Sequence, residues 1–356
     1  MSQPPVARSP RLAQIKPTGG APRRILVTGG AGFIGSHACK ALAAAGFEPV
    51  AFDNLSRGHA DAVRWGPLVK GSVGDAEAVA DALTRYDILA VMHFAAKAYV
   101  GESVTSPWSY YGNNVCGIIG LLEGCKRAGV FTFVFSSSCA VYGVPPRLPI
   151  TEDTLPEPVN PYGRTKLMGE QMLLDYASAG ATYNADCRYV ALRYFNVAGA
   201  DPDGELGERH DPETHLVPLA LLAANGRHPA LEIFGTDYDT PDGTCVRDYI
   251  HVSDLARAHV LALQHLLDGG PSTTLNLGSG RGYSVREVVD AVARVTGRTP
   301  PVVDRPRRAG DPPMLVADPA KAREVLGFVT ERSELDRMVA DAAPWFAADQ
   351  TDARSA

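Results

Sequence analysis

The sequence predicts an α/β protein: a Rossmann-type doubly wound parallel sheet followed by a smaller C-terminal α/β lobe that binds the substrate. Two observations carry this prediction. Short apolar runs alternate with longer segments that have Ala and Leu at helical spacing. A glycine-rich string directly follows the first of these runs. The chain has 356 residues, which is enough for both parts.

Five short runs are predicted as strands covered on both faces, because they are rich in branched and aromatic residues. They are residues 25–27, 50–52, 88–92, 131–135 and 189–192. Helices are predicted over 33–45 and 76–84, as the crossovers between parallel strands require, and over 254–267 and 285–295.

The chain divides into three parts. Residues 1–22 contain prolines and a Gly-Gly pair without a hydrophobic period, which predicts a flexible tail. Residues 23–195 are predicted to form the doubly wound domain. Residues 196–350 have a looser, glycine-rich start and are predicted to form mainly the second lobe, with some segments returning to the first domain.

The composition is that of an ordinary globular chain. Hydrophobic residues make up 45% and charged residues 21%. A net charge of −6 gives no general attraction to nucleic acid or to an acidic membrane. We therefore expect no nucleic-acid or membrane partner, and any phosphate must be held at a local site.

The six cysteines are scattered, with no Cys-x-x-Cys pair and no paired histidine spacing. This pattern argues against a disulfide framework and against a zinc site, so we expect no metal. It suits a reducing compartment, and the sequence has neither a membrane-spanning apolar run nor an N-terminal apolar signal core. We therefore expect a cytoplasmic protein.

The glycine-rich string spans residues 28–35 and opens a helix with G-x-x-G-x-x-G spacing. Gly29 suits the tight turn, Gly32 the approach of backbone amides to a pyrophosphate, and Gly35 close packing of helix on strand. Asp53 ends the second strand, where its carboxylate can accept hydrogen bonds from a ribose and would repel a 2′-phosphate. These residues predict a dinucleotide site that favours NAD over NADP.

Tyr162 and Lys166 are the candidate catalytic pair. They lie four residues apart in a helix that starts at Pro161, so both project from one face. A phenol acts as a base at neutral pH only where positive charge stabilises the phenolate, and Lys166 and a cationic nicotinamide would both provide it. The serines at 136–138 end the preceding strand, and a hydroxyl there can share a substrate proton with Tyr162.

Several strings together make the chain similar to the UDP-glucose 4-epimerase family of extended short-chain dehydrogenases/reductases. The likeness runs from about Arg23 to Phe346, and the string at 242–251 is its most specific part. The strings are residues 28–35, 53–56, 93–96, 100–103, 113–114, 135–138, 141–143, 162–166, 193–196 and 242–251.

The resemblance implies an isomerase of UDP-hexoses that keeps NAD bound, and a homodimer. Tyr162, helped by Ser138, would take the proton of the sugar 4-hydroxyl while the C4 hydride passes to NAD. The 4-keto sugar would turn over and receive the hydride on its other face. The implied cofactor contacts are Gly29, Gly32, Phe33, Ile34, Gly35, Asp53, Asn54, Ser56, Arg57, Ser72, Val73, Phe94, Ala95, Ala96, Asn113, Ser136, Tyr162, Lys166 and Phe195.

The resemblance also implies a UDP-sugar cleft. Arg247 and Arg308 suit the diphosphate, because a planar guanidinium makes forked hydrogen bonds to phosphate oxygens. The chain departs from the better-known bacterial enzymes at Ser72, where they carry an aspartate, and at Ala98, where they carry a lysine. The implied substrate contacts are Ser138, Asn196, His215, Leu216, Phe234, Arg247, Arg308, Asp311 and Leu315.

Other substrates and functions stay open. Leu315 is smaller than the tyrosine of strict glucose/galactose enzymes, which predicts weak turnover of UDP-N-acetylglucosamine, and the 207–215 cluster resembles enzymes that act on UDP-xylose and UDP-arabinose. A 4,6-dehydratase would need carboxylates at positions 139 and 140, which are Cys and Ala. A non-catalytic NAD-sensing protein is the alternative of a different class.

Overall fold

The structure is a computed structural model and describes residues 23–183, 185–308 and 310–347. The predicted flexible tail, residues 1–22, lies outside the described residues, as does the end of the predicted second lobe at 348–350. None of the helices in the described ranges combines the length and the apolar character needed to cross a membrane.

Thirteen strands and eleven α-helices make up the described fold. The strands are β1 (Arg24–Thr28), β2 (Glu48–Asp53), β3 (Leu68–Lys70), β4 (Ile88–His93), β5 (Thr132–Ser136), β6 (Arg188–Tyr194), β7 (Asn196–Ala198), β8 (Leu231–Phe234), β9 (Val246–His251), β10 (Thr273–Leu277), β11 (Gly282–Ser284), β12 (Val302–Arg305) and β13 (Met314–Leu315). The helices are α1 (Phe33–Ala44), α2 (Ala76–Arg85), α3 (Val100–Thr105), α4 (Pro107–Tyr110), α5 (Cys116–Ala128), α6 (Pro161–Ser178), α7 (Leu216–Ala224), α8 (Val252–Leu267), α9 (Val285–Thr296), α10 (Ala320–Leu326) and α11 (Leu335–Phe346).

A seven-stranded sheet forms the centre of the molecule, in the order β10-β6-β5-β4-β1-β2-β3. Every neighbouring pair in it is parallel. The strand order reverses at β1, which lies between β2 and β4, so a crevice opens at the carboxyl ends of β1 and β4. The predicted α/β class with a doubly wound parallel sheet is confirmed.

Helices cover both faces of this sheet, because alternate residues of its central strand are apolar on opposite sides. Ile25 and Val27 of β1 belong to a buried cluster that includes residues of α1 and α8. Leu26, between them, belongs to a second cluster with residues of α2 and α5. The continuous apolar strand therefore contributes to two buried cores, one on each face of the sheet.

The second lobe has its own core. Strand β9 pairs with β7, β11 and β13, and β8 pairs with β12. Helices α7, α9 and α11 bury Leu221, Val292 and Met338 beside this sheet. Two later elements nevertheless return to the large sheet. Strand β10 extends its edge beside β6, and helix α8 packs against α1, which covers one of its faces.

Candidate active site

The glycine-rich turn between β1 and α1 is shaped by close backbone contacts. Gly29 has a φ of +72°, and a Cβ there would lie 2.7 Å from the amide nitrogen of Ala95. A Cβ on Gly35 would lie 2.1 Å from the carbonyl oxygen of Gly29, so helix and turn meet without space for a side chain. Glycine is therefore required at both positions.

The start of α1 has free backbone donors. Gly32 precedes the helix and has no side chain to cap it, and within the described ranges no side chain accepts a hydrogen bond from the amides of Phe33 and Ile34. A Cβ on Gly32 would meet only the Gly29 carbonyl oxygen, at 3.3 Å. An uncapped helix N-terminus beside a glycine turn is the arrangement that binds a pyrophosphate.

Asp53 lies at the end of β2 beside this turn and is 8% exposed. Its Oδ2 accepts a hydrogen bond from the Ala31 amide at 3.1 Å, and its Oδ1 accepts one from the Leu55 amide at 2.8 Å. Each carboxylate oxygen keeps lone pairs for another donor. The position and chemistry of Asp53 therefore suit a ribose.

The residues after Asp53 form a polar turn at the edge of the crevice. Asn54 Oδ1 accepts a hydrogen bond from the Ser56 amide at 2.9 Å. Arg57 lies over the ring of Tyr99, 5.0 Å from its centroid, and its Nη1 donates to the carbonyl oxygen of Asp211 at 3.0 Å. Arg57 thus connects the predicted adenosine end with a loop of the second lobe.

The segment after β4 lies against the glycine-rich turn. The Phe94 amide donates to the Thr28 carbonyl oxygen at 2.9 Å, and the Phe94 ring packs 4.6 Å from that of His259. Ala95 and Ala96 follow on the same side of the crevice as Gly29, since a Cβ on Gly29 would collide with Ala95. The two strand ends therefore meet as the strand order predicts.

Residues 72 and 73 follow β3. The Ser72 hydroxyl accepts a weak 3.4 Å hydrogen bond from the Gly74 amide. Val73 is 7% exposed and its side chain belongs to the core cluster of α2 and α5. The side chain of Val73 is therefore part of the core, and only its backbone is left for a ligand.

A five-residue π-helical turn, Tyr111–Val115, holds the predicted contact Asn113. Asn113 Nδ2 donates to Asn114 Oδ1 at 2.9 Å. Asn114 in turn donates to the Lys97 carbonyl oxygen and to Thr165 Oγ1, both at 3.0 Å. Asn114 therefore joins the segment after β4 to the helix that carries the candidate catalytic pair.

That helix, α6, starts as the sequence predicts. Asn160 caps it by accepting a hydrogen bond from the Gly163 amide at 2.8 Å, and Pro161 occupies its first turn. Cβ atoms on Gly163 and Gly169 would lie 2.4 Å from the Ala140 carbonyl oxygen and 2.6 Å from the Phe135 ring. The two glycines therefore let α6 approach β5 and the turn after it.

Tyr162, Lys166 and Ser138 come together at the carboxyl end of β5, and all three are buried. The Lys166 ammonium lies 5.9 Å from the Tyr162 ring centroid, and Ser138 lies close enough to Tyr162 to lower the pKa of its phenol. Ser136 Oγ is 2.5 Å from the Tyr194 hydroxyl, so its side chain is engaged elsewhere. Of the three serines, Ser138 therefore remains the candidate partner of Tyr162.

Burial controls the titration of this group. It raises the pKa of Tyr162 above its usual value, and the Ser138 hydrogen bond opposes that shift. Burial lowers the pKa of Lys166 to about 7, against the opposing charge of Glu170. The protein part of the site thus leaves the phenol protonated near neutral pH, so ionising Tyr162 needs a further positive charge beside it.

A buried polar network continues along α6. Glu170, one turn after Lys166, pairs with Arg193 at 2.6 Å, and each side chain is 8% exposed. Ser137 also donates to Glu170, and Arg193 Nη1 donates to the Tyr142 hydroxyl at 2.9 Å. This network fixes α6 against β6 and the turn after β5.

The predicted nicotinamide and sugar contacts share a small apolar cluster. Phe195 is buried there with Cys139 and Tyr142, and Leu315 packs against the same cluster. Asn196 starts β7, which pairs beside β9. Since Cys139 follows Ser138 directly, this cluster links the catalytic group to the second lobe.

Two arginines lie on the second lobe where the resemblance places the diphosphate. Arg247 Nη2 pairs with Asp311 Oδ1 at 2.5 Å, and β9 and β13 place Arg247 opposite Leu315. The Arg308 guanidinium stacks 3.9 Å from the ring centroid of Phe234. Each predicted diphosphate arginine therefore contacts another predicted substrate residue, Asp311 in one case and Phe234 in the other.

His215 and Leu216 lie at the start of α7. Burial opposes a charge on His215, but Glu208 and Glu213 outweigh it and raise the pKa of His215 to about 10. Both carboxylates lie within 3.1 Å of His215 Nδ1. His215 is therefore held by a local cluster rather than free to move.

Four residues at this site were given no role by the sequence alone: Asn114, Thr165, Glu170 and Arg193. The strings at 113–114, 162–166 and 193–196 contain three of them, but a motif does not show which side chains meet. Glu170 continues the spacing of Tyr162 and Lys166 by one more turn, a signal that helical periodicity could have supplied.

A parallel sheet with a dinucleotide crevice and a buried Ser–Tyr–Lys group defines a nucleotide-dependent oxidoreductase-like fold. The chain belongs to the NAD dependent epimerase/dehydratase family, whose members match it over residues 25–278. The resemblance inferred from the sequence is confirmed.

One relative and two solved structures show how extensive the similarity is. A UDP-glucose 4-epimerase from Rhizobium meliloti (strain 1021) is 53% identical over 304 residues, which cover 85% of this chain and 91% of that protein. The crystal structure of UDP-glucose 4-epimerase from Brucella ovis in complex with NAD is 58% identical, with a TM-score of 0.88, and covers 91% and 98% of the two chains. The enzyme from Bifidobacterium longum in complex with NAD⁺ and UDP is 39% identical, with a TM-score of 0.85, and covers 90% and 97%.

Proposed function

We propose that the protein interconverts UDP-glucose and UDP-galactose, using an NAD molecule that it retains. The observation that carries this function is the buried Ser138–Tyr162–Lys166 group at the carboxyl edge of the sheet. Relatives that carry the name UDP-glucose 4-epimerase are about half identical to it over most of the chain. The protein is thus an NAD-dependent isomerase, as the sequence predicted.

The residues of the crevice fit NAD. The uncapped amides at the start of α1 can hold the pyrophosphate, and the half-satisfied carboxylate of Asp53 can hold the ribose. Bound NAD supplies the hydride acceptor for the sugar C4 and a positive charge near Tyr162. The structures from Brucella ovis and Bifidobacterium longum contain this cofactor.

The side chains then have separable roles. Tyr162 is placed to take and return the proton of the sugar 4-hydroxyl, with the Ser138 hydroxyl sharing that proton. Lys166 adds positive charge and, through its 2.7 Å hydrogen bond to the Ser136 carbonyl oxygen, fixes the helix against the strand end. Burial of all three excludes water from the exchanging proton.

The second lobe is proposed to hold the UDP-sugar. Arg247 and Arg308 supply guanidinium groups for the diphosphate, and Asp311 and Phe234 orient them. Asn196, His215, Leu216 and Leu315 are proposed to line the cleft between these arginines and Ser138. The comparisons do not favour UDP-pentoses or UDP-N-acetylglucosamine as the main substrate, because the relatives that are about half identical are UDP-glucose 4-epimerases.

The test is an assay without added cofactor. The purified full-length protein is incubated with UDP-galactose, and UDP-glucose and the nucleotide released by denaturation are measured. We expect conversion to UDP-glucose and close to one NAD per chain. Absence of conversion in protein that contains NAD would reject the function and favour the NAD-sensing alternative.

We also propose that two copies form a homodimer. Val104, Trp108 and Leu174 are 61%, 82% and 55% exposed, on α3, α4 and α6. These three helices pack beside one another, and their exposed apolar side chains are proposed as the surface that a second copy covers. Light scattering should give twice 37.8 kDa for the wild type and a smaller mass for Trp108→Glu; a monomeric wild type would contradict the proposal.

A cytoplasmic location is proposed from the cysteines. All six are free thiols, and five of them are buried. An oxidising compartment does not favour this many unpaired thiols. Fractionation of the source cells, with the protein followed by antibody, should place it with cytoplasmic markers; recovery with secreted proteins would contradict this.

A further inference from the structure

Residues 207–215 form a loop that reaches from the second lobe to the nucleotide-binding half. His59 Nε2 lies 3.0 Å from the Arg209 carbonyl oxygen. Arg57 Nη1 donates to the Asp211 carbonyl oxygen at 3.0 Å. The loop therefore lies over the turn that follows Asp53, and whatever fixes its shape also fixes this contact.

Four side chains of the loop converge on one point. Glu208, His210, Glu213 and His215 follow the spacing Glu-x-His-x-x-Glu-x-His, and one donor atom from each lies within 4.8 Å of all the others. Glu208 Oε1 is 2.8 Å from His215 Nδ1 and 3.1 Å from His210 Nδ1. Glu213 approaches with both oxygens: Oε1 is 3.1 Å from His215 Nδ1, and Oε2 is 3.7 Å from His210 Nδ1.

Hydrogen bonds account for the Glu213–His215 side of this arrangement but not for His210. His210 Nδ1 is buried and makes no hydrogen bond, although Glu208 Oε1 is only 3.1 Å away. Its nitrogen faces the space between the carboxylates rather than pointing along an N–H···O line. A shared cation would satisfy that nitrogen and both carboxylates at once.

We propose that Glu208, His210, Glu213 and His215 bind one divalent transition-metal ion, for which Zn²⁺ is the best fit. Zinc bonds of about 2.0–2.2 Å in a tetrahedron separate neighbouring ligand atoms by roughly 3.3–3.6 Å. The imidazole–carboxylate distances are 2.8 to 3.1 Å to the Oε1 atoms of Glu208 and Glu213 and 3.7 Å to Glu213 Oε2, all within about 0.5 Å of that separation. Metal binding would displace the proton from each imidazole, and the two carboxylates would then balance a charge of +2.

A neighbouring cluster shows what distinguishes this one. Asp201, Asp203 and Glu205 also lie close together. The Lys40 ammonium sits among them, 2.6 to 2.8 Å from each, and already supplies the cation. The 207–215 cluster instead contains two imidazole nitrogens, which are zinc ligands, and no lysine or arginine contact to Glu208 or Glu213 is found in the described part of the chain.

The proposed site has four protein ligands from a single loop, which is the form of a structural metal site. Its role would be to hold the loop against Arg57 and His59, and so to support the edge of the nucleotide crevice. This departs from the expectation of no zinc site, because that expectation rested on cysteine spacing and on paired histidines alone. The inference does not depend on the epimerase function.

The test measures metal directly. Full-length protein without a histidine tag is stripped with EDTA and titrated with ZnCl₂ by isothermal calorimetry, and the bound metal is counted by elemental analysis after dialysis. We expect one Zn²⁺ per chain, and a loss of at least 100-fold in affinity for Glu208→Gln and for His210→Gln. His59→Gln and Asp203→Asn are matched controls, and both should keep the wild-type affinity.

A second measurement needs no variant. Co²⁺ added to the stripped wild type should give the intense visible absorption of a four-coordinate site, and Zn²⁺ should displace it. No stoichiometric binding to the wild type would overturn the proposal, as would unchanged affinity in folded Glu208→Gln and His210→Gln. Equal loss of affinity in the two controls would place the metal elsewhere and also overturn it.

Discussion

The Lys166 ammonium donates a 2.7 Å hydrogen bond to the backbone carbonyl oxygen of Ser136, the last residue of β5. This bond joins the catalytic helix to the strand end that precedes Ser138. The ammonium also lies over the Phe135 ring, 5.3 Å from its centroid. A carbonyl oxygen and an aromatic face therefore hold this buried cation in place, and no ion pair to it is found among the described residues.

Tyr162→Phe should abolish proton transfer while leaving the fold intact. Turnover of UDP-galactose should fall by about 10²–10⁴-fold, the usual contribution of a positioned acid or base. NAD content per chain should stay at the wild-type level. Steady-state assays check the first expectation and denaturation release the second. Tyr86→Phe, far from the crevice at the end of α2, is the matched control; wild-type turnover in Tyr162→Phe would exclude it as the base.

Lys166→Met should change how stability depends on pH. Burial lowers the pKa of Lys166 to about 7, below its unfolded value of about 10.4. Burying the ammonium therefore lowers the free energy of unfolding by its full amount below pH 7. This loss shrinks as the pH rises from 7 toward the pKa of the unfolded chain, because the unfolded chain then binds more protons than the folded one.

Urea unfolding of both proteins at pH 6.5 and 9 checks this. The free energy of unfolding of Lys166→Met, taken relative to that of the wild type, should be higher at pH 6.5 than at pH 9. The lost hydrogen bond lowers it by the same amount at both pH values and does not affect this difference. Lys70→Met, at an exposed position, should show no such difference. An equal effect of Lys166→Met at the two pH values would contradict the expectation.

Arg193→Met should be strongly destabilising, because it leaves Glu170 buried without its partner. Removing one member of a buried pair costs about 3–5 kcal/mol in the free energy of unfolding. Combining it with Glu170→Met should recover part of that loss. Arg127→Met removes an exposed pair with Glu123 and should cost less than about 1 kcal/mol. Equal costs for Arg193→Met and Arg127→Met in urea unfolding would show that the network does not support α6.

Two glycine substitutions should separate folding from cofactor binding. Gly35→Ala places a Cβ 2.1 Å from a backbone oxygen and should lower the melting temperature, whereas Gly32→Ala meets nothing closer than 3.3 Å and should fold normally. The affinity of Gly32→Ala for NAD should nevertheless fall by more than about tenfold, because the new methyl group occupies the space through which the pyrophosphate reaches the backbone amides. Gly101→Ala has open space and is the control. Full NAD occupancy in Gly32→Ala would show that the pyrophosphate lies elsewhere.

Much of the fold and part of the site follow from local sequence. The predicted strands at 25–27 and 189–192 and the helices at 33–45 and 254–267 correspond to β1, β6, α1 and α8, with shifts of a few residues at their ends. Hydrophobic periodicity and the glycine string determine these elements because each depends on residues close together in the chain. The shared face of Tyr162 and Lys166 is local in the same sense.

The sequence by itself determined the sheet class, the position of the nucleotide turn and the identity of the candidate base, since each follows from short-range spacing. Only the tertiary structure decided that Asn114 bridges to Thr165, that Glu170 pairs with Arg193, that β10 returns to the large sheet, and that four side chains of the 207–215 loop converge. The physical reason is that the first three are contacts between distant parts of the chain, and the fourth depends on how a loop without a regular period folds back on itself. Neither is encoded in any local repeat of the sequence.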